Sequence, residues 1–154
     1  MKAIHWIIAA AALAFVQPTP VQAAAGDPEI ILYRFPGVVD NGREVVTVFH
    51  CTNFSGATET IRIVIRNNDG ALRSNSTFNV AHLATRTAVT LGFNVVMYIP
   101  DVFLPGDLIQ GTAAIAATST SIVCTAMTVD RFSPNPTGIA LHGIRFNPAP
   151  GSQE

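Results

Sequence analysis

Cys51 and Cys124 are the only cysteines of the 154-residue chain, and they offer two chemistries. In an oxidising compartment an even thiol count points to a disulfide. A bridge between them closes a long loop, worth about 4 kcal/mol in the loop-entropy model. The alternative is a reactive thiol or a copper ligand. His50 stands beside Cys51, and Met127 follows Cys124 closely. A β-fold carrying Cys, His and Met invites a blue-copper reading, which needs two His, a Cys and a weak axial Met. The spacing opposes it. After Cys124 no histidine occurs until His142, beyond a strand. His50 and Cys51 are neighbours in a strand, so their side chains leave opposite faces. His50, His82 and His142 read as exposed or half-buried strand histidines, and neither metal nor cofactor is expected.

Hydrolysis needs an activated nucleophile or two acids. Ser119, Ser121 and Ser133 sit in no Gly-x-Ser-x-Gly elbow, although triads assemble in space rather than in sequence. Asp101, Asp107 and Asp130 could supply the carboxylate pair of a glycoside hydrolase; the plainer reading is ordinary turn aspartates. Asp40-Asn41-Gly42 and Asn68-Asp69-Gly70 lack the further oxygen ligands of a calcium loop and read as turns. Asn53-Phe54-Ser55 and Asn75-Ser76-Thr77 fit the glycosylation sequon, which matters only in a glycosylating host. No residue is assigned a catalytic role.

The loop from Tyr98 to Ile109 is the stretch that points to a partner. Tyr98, Val102, Phe103 and Leu104 crowd it with apolar bulk, while Pro100, Pro105 and Gly106 keep it out of a ladder. Connecting segments are normally polar. An apolar one either folds back to cap the core or meets a partner, and Phe132 could extend the same patch.

The elements that would hold these residues are short strands. Glu59 to Asn67 alternates most clearly, with Ile61, Ile63 and Ile65 on one face and Thr60, Arg62 and Arg66 on the other. Such a period belongs to antiparallel sheets with one dry face. Further strands are expected at Ile30 to Phe35, Glu44 to Thr52, Thr77 to Ala81, Thr85 to Phe93, Val95 to Tyr98, Gly111 to Thr118, Ser121 to Val129 and Gly138 to Phe146. Ala113 to Ala117 has helical composition, but Gly111, Thr112 and the Thr/Ser run after it argue for strand. About eight or nine short strands separated by turns make an all-β, antiparallel β-sandwich the expected architecture.

The N-terminus has the order of an export signal. Lys2 is followed by the apolar run Ile4 to Val16, then Pro18, Pro20 and the small residue Ala23. The run is too short to span a bilayer, which takes roughly 20 residues. The reading is a signal peptide over 1–23, one domain over 24–146 and a fraying tail over 147–154; the alternative is an uncleaved anchor. The processed chain keeps eight arginines against ten acids. The charges are scattered, so neither nucleic acid nor an anionic lipid surface is expected as a partner. No stable membrane span is expected after cleavage, and the compartment is periplasmic or extracellular.

Cys51 near the end of the second strand and Cys124 in the next-to-last place the chain close to an immunoglobulin-like sandwich, which it resembles at fold level. That resemblance implies a bridge pinning one sheet to the other. The chain departs from it in lacking a tryptophan after processing and in having Ile122 where a tyrosine corner would stand. Cys51-Thr52-Asn53, Cys124-Thr125-Ala126, Val129-Asp130 and Arg145-Phe146-Asn147-Pro148 also resemble short exported bacterial proteins of unassigned function. That likeness implies no activity. The expectation is a non-catalytic exported module that binds a protein or envelope component, with self-association through a free edge strand as a specific form. A small secreted hydrolase using loop carboxylates is the alternative.

Overall fold

Where Ile61, Ile63 and Ile65 alternate with polar neighbours, the chain forms strand β3, Glu59–Asn67, with all three isoleucines buried. The computed structural model describes residues 29–42, 44–92, 100–104, 106–133 and 138–146. The expected signal (1–23), the Val95 to Tyr98 strand, Tyr98 itself, Pro134 to Pro136 and the 147–154 tail lie outside the described residues. The described part is all-β and contains no helix. No helix there is long and apolar enough to cross a membrane.

The other strands are β1 Ile30–Asp40, β2 Val45–Asn53, β4 Leu72–Val80, β5 Thr85–Val89, β6 Val102–Phe103, β7 Leu108–Ala117, β8 Ile122–Asp130, β9 Ile139–Leu141 and β10 Ile144–Arg145. They form one sheet in the order β4-β3-β7-β1-β2-β5-β6, with β10 beside β1, and β8 and β9 beside β2. β1 and β2 share only the pair Asp40 and Val46, next to their turn. Beyond it they splay apart, so the sheet bends back over itself and is nearly barrel-shaped. Leu32, Phe35, Phe49, Ile63, Ile115 and Ile122 fill the space between its two halves. Phe35 of β1 meets Phe49 of β2 edge-on, with centroids 5.8 Å apart, a geometry that aromatic pairs prefer.

Three expectations need correction. The sheet is mixed rather than antiparallel: β6 runs parallel to β5, Ala88 opposite Val102 and Val89 opposite Phe103. Val102 and Phe103 therefore join the ladder, and this loop is not kept out of it. Second, the disulfide is present but does not link facing layers. Cys51 and Cys124 are directly opposed on the adjacent strands β2 and β8, with Cα atoms 4.2 Å apart. Opposed residues of an antiparallel pair come this close where no ladder hydrogen bond joins them. The bridge clamps neighbours; apolar packing holds the halves together. Third, β1 does not stop at Phe35. It continues to Asp40 through register shifts after Pro36 and after Val38. Gly37, at φ 78°, supplies the positive φ that such a bulge uses.

The final strand segment divides for a steric reason. β9 pairs with β8 and β10 pairs with β1, so the chain crosses between the two halves at His142-Gly143. A methyl group at Gly143 would overlap the edge of the Phe35 ring. Only glycine lets the crossing lie this close to the core.

β2 is buried on both faces along its first half. Phe49 and Cys51 join the main core, while Val46 and Val48 form a second cluster with Val89, Leu91 and Val129. This explains why Val45 to Phe49 is apolar on both faces except at Thr47, as strands covered on both faces tend to be.

Candidate functional site

The apolar loop resolves into two parts. Leu104 is buried in the core, with its amide donating to the Val89 carbonyl at 2.8 Å, and Val102 packs partly against the same core. Phe103 and Phe132 remain exposed. Phe132 lies under the Arg131 guanidinium, 4.2 Å from its ring centroid. The core-cap role thus belongs to Leu104 and Val102, while Phe103, Ile109 and Phe132 present apolar surface outward.

The aspartates are engaged locally. Asp101 pairs with Arg86 at 3.2 Å and accepts the Thr87 amide, which seats the loop beside β5. Asp130 Oδ1 accepts the Phe132 amide at 2.8 Å and so shapes a turn. Asp107 lies close to Asp40, an acid that the sequence presented only as part of a turn. Asp40 is buried and its Oδ1 accepts the Gly42 amide at 2.9 Å. Burial raises its pKa above the ordinary carboxylate range; the Gly42 hydrogen bond opposes this, the charge of Asp107 adds to it, and Arg131 opposes it. The β1–β7 register, with Asp40 opposite Leu108, creates this proximity.

The histidines stand apart. His50 is half-buried on the face opposite Cys51, its Nδ1 3.0 Å from Thr87 Oγ1, and burial lowers its pKa. His82 Nδ1 accepts the Gly56 amide at 3.0 Å. Both sulfurs are consumed by the disulfide, so neither is a thiolate ligand. Among the described residues no three His, Cys, Asp or Glu side chains gather around a common point.

The feature that sequence reading placed least well is β4. Only Thr77 to Ala81 were expected as strand, yet β4 is a nine-residue element. Asn68 to Gly70 turn the chain directly from β3 into β4, with Gly70 at φ 85° and its amide donating to Asn67. Every residue from Glu59 to Ile65 pairs with one from Ser74 to Val80. On its other side β4 has no strand neighbour among the described residues. Asn75, Thr77 and Asn79 are exposed, while Ser74, Ser76 and Phe78 are half-buried. The clue in the sequence was the turn, which forces an antiparallel return immediately after β3.

Comparison with protein-family models, with curated proteins and with solved structures gives no match.

The open edge stands out against the usual rule. Proteins blunt edge strands with lysine, proline, inward charges or bulges. From Ser74 to Val80 there is no charged residue and no proline, and the single irregularity in the pairing lies between Ile65 and Arg66, at the far end. Arg73, the one cation of β4, donates through Nη2 to the Asp107 carbonyl at 2.7 Å. Among the described residues no strand covers the backbone donors and acceptors of this edge from Ser74 to Val80.

Proposed function

We propose that the chain is an exported, non-catalytic binding module that assembles by pairing β4 with β4 of a second copy. In this reading residues 1–23 direct export to the periplasm or beyond, and the bent sheet serves as an immunoglobulin-like sandwich. The order of Lys2, the apolar run Ile4 to Val16 and the small residue Ala23 supports the export reading. The observation that carries the assembly reading is the unblunted edge of β4.

The sequence of β4 suits a copy of itself. In an antiparallel pairing centred on Ser76, Asn75 faces Thr77 of the second copy, Ser74 faces Phe78 and Arg73 faces Asn79. No like charges meet, and such meetings are what penalise opposed pairs. Main-chain hydrogen bonds supply the affinity, as in strand addition generally. The interface is two-fold and closes as a dimer.

Light scattering across a concentration series tests the pairing. The wild type is expected to pass from monomer to dimer. Asn75→Glu with Thr77→Glu sets like charges opposite each other and should abolish dimers. Asn75→Lys with Thr77→Glu sets opposite charges there and should retain them. A monomer at every concentration, or equal behaviour of the two double variants, would overturn the reading.

A further inference from the structure

We infer that one end of the sheet, where Phe54 and Leu83 project, rests on the zwitterionic surface of a lipid bilayer. The antiparallel register brings three turns to this end: 54–58 after β2, 81–84 after β4 and 118–121 after β7. None of them contains an aspartate, glutamate, lysine or arginine. At the opposite end the connections carry Glu44, Asp69, Asp107 and Arg131.

The uncharged turns are tied to one another. The Leu83 amide donates to the Asn53 carbonyl at 2.7 Å, the Asn53 amide to the Ala84 carbonyl at 3.1 Å, and the Phe54 amide to the Ser121 carbonyl at 3.0 Å. Asn53 is fully buried beneath them; its Nδ2 donates to the carbonyls of Ala57 and Val80, and its Oδ1 accepts the Ser55 amide. On this fixed support two large apolar side chains are left outside, Phe54 at 53% and Leu83 at 67% exposure. Leu83 is also the only non-glycine residue with a positive φ among the described residues, at 62°. Glycine or asparagine takes that conformation more readily. A leucine there strains the backbone and gains little burial in return, so packing within the chain does not account for it.

Charge and chain entry select the occupant. Apolar tips on an uncharged rim enter the headgroup boundary without carrying an ion into it. The chain also enters the sheet here: β1 begins with Ile30 opposite Ala117. The apolar run Ile4 to Val16 lies upstream, and residues 17–29 reach at most about 45 Å when extended. While that run is held in a bilayer, this end stays close to the same membrane. Two side chains alone bind lipid weakly, and the tether makes their contact intramolecular. Only the tether depends on the export reading, and the β4 edge takes no part.

Trp6 is the single tryptophan of the chain. Its quenching by brominated phosphatidylcholine vesicles reads insertion of the apolar run. In the full chain carrying Trp6→Phe, Phe54→Trp reads this end and Phe103→Trp reads an exposed site elsewhere. A blue shift and quenching are expected at position 54 and not at position 103. Leu83→Asn relieves the strain and removes an apolar tip. It should weaken the contact at position 54 about fivefold, as losing part of one buried leucine implies, without lowering the urea midpoint. Added phosphatidylglycerol should change neither result. Quenching at position 6 with none at position 54 would overturn the inference and leave the export reading standing. Quenching at position 54 with none at position 6 would support the lipid contact and remove the tether. Equal quenching at positions 54 and 103, a lower urea midpoint for Leu83→Asn, or a blue shift at position 54 that grows with protein concentration in the absence of lipid would also overturn it, the last by assigning the patch to a second copy.

Discussion

The Thr47 amide donates to Thr90 Oγ1 at 3.0 Å, and both residues are buried. The same Thr90 hydroxyl donates to the Val39 carbonyl at 2.8 Å, while Thr47 Oγ1 accepts the Val39 amide at 2.9 Å. These two hydroxyls stand where β1 and β2 part. They replace the ladder hydrogen bonds that the bend removes, since buried backbone groups need partners. Thr90→Val keeps the volume but leaves the Thr47 amide without its acceptor. The expected loss is about 1–3 kcal/mol, read as a lower urea midpoint, and Thr90→Ser should restore most of it.

The clamp between β2 and β8 closes a loop of 73 residues. The loop-entropy model gives it about 4 kcal/mol. Cys51→Ala with Cys124→Ala should lower stability by that order and still fold, because Phe35 and Phe49, not the sulfurs, join the two halves. Titration of the unfolded, unreduced wild type should find no free thiol. Two free thiols would contradict the clamp.

Burial holds the His50 imidazole below its ordinary pKa of 6.5. The unfolded chain therefore takes up this proton more readily than the folded one. The stability that neutral His50 contributes is complete above pH 6.5 and drains away as the pH falls towards the folded pKa. Between pH 7 and pH 5 the wild type should lose stability that His50→Gln keeps. Parallel slopes for the two proteins would remove His50 from the account.

Much of this fold was legible where the chemistry is local. The period of Ile61, Ile63 and Ile65 marked β3, and Asn68 to Gly70 marked its turn. The cysteines marked a bridge. What was not legible depends on register and on strand order. Nothing in Cys51 and Cys124 says whether they oppose each other within a sheet or across two layers. Val102 and Phe103 carry no sign of their parallel partners Ala88 and Val89. The first half of β4, Leu72 to Ser76, hides as a strand because an edge need not bury an apolar face, so its alternation is too polar to notice. Among the suspected partner residues, Leu104 proved to be core for the same reason: bulk in a loop marks burial as readily as it marks contact.

The pairing of β4 with its own copy is read most directly by amide hydrogen exchange at two protein concentrations. The account predicts that alternate amides between Ser74 and Val80 gain protection as concentration rises while the rest of the sheet is unchanged. Exchange in β4 that is independent of concentration, or protection appearing instead around Phe103 and Phe132, would contradict it.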